Sequence, residues 1–260
     1  MSKTALITGA SSGIGLELAR LFAKDKHDLV LVARSVDKLQ TLAGELRKEG
    51  IRCEVLSKDL QNDNAPSEIF EWCQHNNISI DYLVNNAGLG DFGFFHESEW
   101  APQKAMIQVN MNALTQLTHL FLPGMVKRGS GKVLNIASTA AFQPGPYMSV
   151  YFASKAYVLH FSEAIANELK GTGVTVTVHC PSATETGFFN AAGMQDSALV
   201  KGKKVATSQE VAEDAYRAMM KGSTVRINGF MNHLLALSPR FAPRNLATAI
   251  TRIMVKDSSR

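Results

Sequence analysis

Short apolar runs alternate with helical stripes from the first residues onward. "TALIT" (4–8) is a β-leaning run, and Ile14, Leu18, Leu21 and Phe22 then recur on one helix face. "DLVLVA" (28–33) reads as a buried strand, followed by a helical stripe of Leu39, Leu42 and Leu46 that Gly50 ends. "CEVLS" (53–57) predicts a third strand, and Ile69, Trp72 and Cys73 a short helix after Pro66. "DYLV" (81–84), "KVLNIAS" (132–138), "VTVTVHC" (174–180) and "TVRING" (224–229) are further strand candidates, with long helical stretches around 101–127 and 151–170. Thr207 with Glu210 predicts a capping box that opens a helix to about Lys221.

These strands are rich in Val, Ile and Leu and do not alternate with polar residues, so they are expected to be buried on both faces. With intervening helices and right-handed crossovers, the prediction is an α/β chain. It is a Rossmann-like, doubly wound parallel sheet of about seven strands with helices on both faces, one domain over 1–260. The least regular stretch, 181–206, follows the end of a strand, where ligands of open α/β sheets sit. It is expected to be a mobile substrate loop over a site, with a plain surface excursion as the alternative.

Composition changes this picture little. The 260 residues are 45% hydrophobic and 19% charged, enough for one large core. The net charge of +4 is too mild to argue for nucleic acid. Cys53, Cys73 and Cys180 are widely spaced, which disfavours a disulfide framework or zinc site and fits a reducing compartment. No secretory leader and no long apolar run is evident, so a cytoplasmic protein is expected. The histidines form no HExxH pair, so no metal is expected; His160 and His179 read as structural.

Chemistry concentrates in a few motifs. "TGASSGIG" (8–15) falls between the first strand and the first helix, where glycines allow a tight turn and close ligand approach. The helix N-terminus behind it suits a pyrophosphate. No Gly-Lys-Ser/Thr closes the turn, so it is not a P-loop. "NNAG" (85–88), Ser138 and "YFASK" (151–155) follow in order. Tyr151 and Lys155 lie four apart and share one helix face.

Together the four motifs resemble the short-chain dehydrogenase/reductase family, from about residue 4 to 190. The TGxxxGxG spacing favours the dehydrogenase branch over the epimerase-like TGxxGxxG group. The resemblance implies that Gly9, Ser11, Ser12, Gly13, Ile14 and Gly15 cradle a dinucleotide. It places Asp59 at the adenine amine with Leu60 beside the ring, and Asn86, Ala87 and Gly88 along the cofactor cleft. Pro181, Thr184 and Thr186 would meet the carboxamide and phosphate region, although the family's usual Pro-Gly is Pro181-Ser182 here.

Arg34, with Lys38 nearby, stands where an NAD-binding acid would fall after the second strand. NADP(H) is therefore expected over NAD(H). Ser12 replaces a basic residue carried by many NADP-using relatives, which weakens that preference without reversing it.

For the chemistry, the resemblance implies Tyr151 as general acid or base. Lys155 would hold the nicotinamide ribose and lower the phenol's pKa from its ordinary value near 10. Ser138 would bind the substrate oxygen beside Tyr151, and Asn110, favoured over Asn112, would position a water. Tyr147 and Tyr157 read as packing or substrate-pocket residues, and Met148 and Phe142 as pocket wall or core.

Phe92, Phe94, Phe95, Phe142, Phe188 and Phe189 lie in the expected pocket loops and favour an apolar ketone or aldehyde. The expected activity is an NADP(H)-dependent carbonyl/alcohol oxidoreductase. A dinucleotide-binding regulatory protein without turnover is the alternative. A homodimer or homotetramer is implied by the resemblance, and no nucleic-acid partner is expected.

The end of the chain stands apart. Residues 221–260 hold seven Lys/Arg and one Asp, and Leu246, Ile250, Ile253 and Met254 form one apolar stripe after Pro243. The basic extension 232–260 is open to three readings: a lid or subunit contact, packing on its own subunit, or a peripheral membrane contact.

Overall fold

The structure is a computed structural model that describes residues 2–185, 188 and 205–256. The predicted strands form at β1 (Thr4–Thr8), β2 (Asp28–Ala33), β3 (Cys53–Ser57), β4 (Tyr82–Asn85), β5 (Gly131–Ile136) and β6 (Val174–Cys180). Two short strands, β7 (Thr184–Glu185) and β8 (Ala206–Thr207), pair with each other in parallel. The last, β9 (Val225–Ile227), joins the main sheet. That sheet is parallel throughout and ordered β3-β2-β1-β4-β5-β6-β9. The chain reverses its winding between β1 and β4, which opens a crevice at their carboxyl ends.

The helices are α1 (Gly13–Lys24), α2 (Val36–Leu46), α3 (Ala65–His75), α4 (Trp100–Ile107), α5 (Leu114–Arg128), α6 (Ser149–Glu168), α7 (Ser208–Lys221), α8 (Phe230–Leu237) and α9 (Arg244–Val255). They cover both faces because successive strand residues point to opposite sides. Ala5, Ile7, Leu29 and Leu31 pack against Leu18, Phe22, Leu39 and Met219, which come from α1, α2 and α7. Leu6, Val30, Leu83 and Val133 face the other way, against Ile69 of α3 and Leu117 and Phe121 of α5.

The stretch foreseen as one helix near 101–127 is continuous but not uniform. A π-helical turn, Gln108–Ala113, separates α4 from α5. At the start of α7 the expected capping box forms: Thr207 N–H donates to Glu210 Oε2 at 2.9 Å, and Glu210 N–H to Thr207 Oγ1 at 3.2 Å. The three cysteines are free and buried, and burial raises each thiol to about 12.

The basic extension folds as α8 and α9. Ala236, Ala247 and Val255 are buried, whereas Leu246, Ile250, Ile253 and Met254 remain exposed. One side of the extension thus packs on its own chain while the foreseen stripe faces outward. No helix among the described residues is long and apolar enough to cross a membrane.

Candidate active site

The crevice begins at the glycine turn. Gly9 and Gly13 adopt left-handed φ values of 67° and 57°. A Cβ on Gly15 would stand 2.4 Å from the Gly9 carbonyl oxygen, and one on Gly9 would stand 2.8 Å from Asn86 Nδ2. Only glycine fits at either position.

Thr8 knits this turn to the neighbouring strand. Its Oγ1 accepts the N–H groups of Asn86 (3.0 Å) and Ala87 (3.1 Å), while Asn86 Nδ2 donates to the Thr8 carbonyl at 2.9 Å. The ends of β1 and β4 are therefore held as one floor.

Above that floor lies a cavity of about 740 Å³. Its dinucleotide-side wall includes Gly9, Ser11, Ser12, Gly13 and Ile14. Ser12, at the start of α1, makes no side-chain cap, and the first turn has no acid. The helix end is thus left to an incoming anion. Arg34, Asp59 and Leu60 line the same region, and so do Asn86, Ala87 and Gly88.

Gly15 sits behind the turn and Lys38 is exposed on α2; neither lines the cavity. Pro181 and Thr184 do. Thr186, Phe189 and most of the expected loop 181–206 lie outside the described residues.

Ser138, Tyr151 and Lys155 line the other end of this cavity. α6 carries Tyr151 and Lys155 on one face, and β5 ends just before Ser138. Lys155 is buried, its Nζ donating to the Ile136 carbonyl at 2.9 Å and lying 5.7 Å from the Tyr151 ring centroid. Burial lowers this ammonium to about 8.

The phenol moves against expectation. Burial raises Tyr151 to about 12, opposed by a hydrogen bond from Ser138. Desolvation outweighs the Ser138 hydrogen bond, so the protein's own groups keep the phenol protonated near neutral pH.

Asn110 lies in the π-helical turn and is fully engaged. Its Oδ1 accepts from Leu89 N–H at 2.8 Å, and its Nδ2 donates to the Leu89 carbonyl (2.9 Å) and to Ser154 Oγ (3.0 Å). Ser154 Oγ in turn donates to the Tyr151 carbonyl at 2.7 Å. A Cβ on Gly88 would meet Lys155 Nζ at 3.5 Å and Asn110 Oδ1 at 3.6 Å, so both groups converge on that glycine.

Several wall residues carried no motif. Lys58 lines the cavity beside Arg34 and pairs with Glu68; its place directly before Asp59 at the end of β3 was the available signal. Met148 and Phe152 form an apolar wall with Phe188, whose ring centroid lies 5.3 Å from that of Tyr151. Leu235, Met254 and Val255 close the wall from α8 and α9, about 100 residues further along the chain. Of the earlier alternatives, Met148 belongs to the cavity, Phe142 packs in the core beside α6, and Tyr157 bonds Thr115 at 2.9 Å.

The geometry suits a dinucleotide at the glycine end and a small carbonyl or alcohol beside Tyr151. Known proteins agree in outline. The ketoacyl reductase HetN of Nostoc sp. is 35% identical over 225 residues, covering 85% of this chain and 77% of that one. A short-chain dehydrogenase from Sphingobium yanoikuyae, solved with NADPH, superposes with a TM-score of 0.83 at 34% identity, over 92% of this chain and 93% of that one. A bulky-bulky ketone-specific alcohol dehydrogenase from Comamonas testosteroni superposes with a TM-score of 0.78 at 29% identity, over 92% of each chain. A family model for short chain dehydrogenases matches residues 3–197, three quarters of the sequence. The chain belongs to the short-chain dehydrogenase family.

Proposed function

We propose that this protein is an NADP(H)-dependent oxidoreductase that interconverts an apolar ketone or aldehyde with its alcohol. One observation carries the reading: a single cavity joins the glycine turn to Ser138, Tyr151 and Lys155. Reduction needs a hydride at carbon, which the bound dinucleotide supplies, and a proton at oxygen. Tyr151 donates that proton from its hydroxyl. Ser138 holds the carbonyl oxygen within reach of Tyr151, and Lys155 stabilises the phenolate left behind. Asn110 acts as a bracket, fixing the backbone at Leu89 and, through Ser154, the turn of α6 that carries Tyr151.

The NADP(H) preference rests on Arg34 and Lys58. Both line the same cavity as Ser11 and Ser12, and a base just past the second strand is where a ribose 2′-phosphate would be met. Glu68 offsets part of the Lys58 charge, so Arg34 dominates. The apolar wall of Met148, Phe152, Phe188 and Met254 favours a substrate without charge near the carbonyl. The names of the Sphingobium and Comamonas proteins, one bound to NADPH and one specific for bulky ketones, point the same way.

A spectrophotometric screen of NADPH and NADH oxidation over aliphatic, aromatic and steroidal ketones tests both parts. The expected result is a higher kcat/KM with NADPH and with apolar ketones. Preference for NADH would overturn the cofactor assignment. Tight NADPH binding with no oxidation of any carbonyl would replace the enzyme with a binding-only protein.

A further inference from the structure

Nine of the fourteen exposed large hydrophobic residues among the described residues fall between 231 and 254. Met231 is 64% exposed, Phe241 87% and Ile253 74%. On α9, Leu246, Ile250, Ile253 and Met254 follow the i, i+4, i+7, i+8 pattern of one outward face. On α8, exposed Met231, Leu234 and Leu235 share one face at i, i+3 and i+4. Leu235 and Met254 also line the cavity, so the two faces meet at its mouth. Contiguous apolar surface rimmed by polar groups marks a contact site.

Charge decides what makes that contact. Between 221 and 256 the sequence contains six Lys/Arg and no Asp or Glu. Arg226 is neutralised by Asp214. Arg244, Arg252 and Lys256 are exposed and make no ion pair among the described residues. A two-fold contact would set this patch against its own copy. Cations would then face cations, with no acid from the stretch to pair them. A surface that is both apolar and anionic satisfies the whole patch.

We propose that α8, the Phe241 turn and α9 form a docking face for an anionic lipid surface, with the cavity mouth at its edge. This reading is independent of the substrate assignment. Phe241 and Ile253 insert among the acyl chains, while Arg244, Arg252 and Lys256 meet the headgroup phosphates. Each basic residue near such a surface strengthens binding about fivefold and does so less as salt rises.

The test is sedimentation of the full chain with phosphatidylcholine vesicles, alone or mixed with phosphatidylglycerol, at low and high salt. The expected result is pelleting only with phosphatidylglycerol, weakened by salt and reduced at least tenfold in Phe241→Glu and in Ile253→Glu. NADPH binding in solution should stay unchanged in both variants, which reports an intact fold. Phe241→Glu lies in a turn and keeps the test valid if the helical variant fails to fold. Equal pelleting with both vesicle types, or none with either, overturns the proposal. So does light scattering that shows a lipid-free oligomer dissociating in the two variants, because the face would then bind a second copy.

Discussion

Asn110 closes two hydrogen bonds on a single residue, accepting from the Leu89 N–H at 2.8 Å and donating to the Leu89 carbonyl at 2.9 Å. That pairing mimics a strand partner for the segment leaving β4, directly after Gly88. Asn110→Ala removes it and frees Ser154 as well. The expected cost is about 2 kcal/mol of stability, a fall in melting temperature of roughly 4–8 °C for a chain of this size. A drop in kcat of at least tenfold should accompany it. Thermal unfolding and steady-state kinetics check this. A stable variant with full kcat would reduce Asn110 to packing.

The site was unevenly legible for physical reasons. The glycine turn was readable because its backbone geometry demands glycine locally, whereas Tyr151 and Lys155, spaced to share one helix face, stood out only through the family resemblance. The five inner strands of the main sheet were readable because burial on both faces leaves largely apolar runs, while the edge strands β3 and β9 carry charged residues and gave a weaker signal. The π-helical turn at Gln108–Ala113 was not, since one extra residue per turn scarcely alters a helical pattern. The β7–β8 pair was hidden because two-residue strands carry no period. Leu235 and Met254 could not be assigned to the cavity from sequence: they reach it by folding back over the crevice, a long-range fact with no local trace. Tyr151 shows a further limit. Its neighbour Lys155 was evident, but the depth of burial that raises the phenol despite the Ser138 hydrogen bond is a property of the assembled core.

Lys155 titrates within reach of an assay. Burial lowers it to about 8, whereas Tyr151, raised to about 12, stays protonated through that range. Ketone reduction should therefore lose kcat/KM as pH rises through about 8, as the ammonium is lost. Lys155→Met should show no such inflection and little turnover. The native lysine binds fewer protons than the unfolded one, so stability rises with pH between about 8 and 10.5. Removing the buried cation should stabilise the fold at pH 7 by up to about 3 kcal/mol, with the gain shrinking toward pH 10. Denaturant unfolding at both pH values reads this out. A less stable variant at pH 7 would contradict the desolvation argument.

Arg252 clasps the pocket wall to the loop before α6. Its Nε donates to Tyr147 Oη at 3.1 Å, and its guanidinium lies 5.6 Å from the Tyr147 ring centroid. Tyr147 itself holds a left-handed φ of 68°, an uncommon conformation for a bulky residue. An exposed cation–aromatic contact contributes about 0.5–1 kcal/mol. Arg252→Ala should raise KM for bulky ketones about two- to fivefold and leave kcat nearly unchanged. Arg252→Lys should recover only part, since an ammonium cannot stack and donate together. An unchanged KM across a size series of ketones would remove the clasp from substrate binding.

Asp214 bolts α7 to the far edge of the sheet. It meets His179 Nε2 at 3.1 Å and accepts from Arg226 Nη2 at 2.7 Å and from its bifurcated Nε at 2.9 and 3.1 Å. The His179 hydrogen bond, with Arg226 added, holds this carboxyl well below the usual carboxylate range despite burial. A depressed folded pKa stabilises above the unfolded value of about 4 and is lost as pH falls below it. Asp214→Asn should therefore be less stable than the parent by about 3 kcal/mol from pH 5 to 7. The gap should narrow steadily below about pH 4, because the parent then gives up what the variant never had. Urea unfolding of both proteins from pH 7 to pH 3 decides it. A gap of constant size down to pH 3 would show that Asp214 acts through shape and hydrogen bonding rather than through its charge.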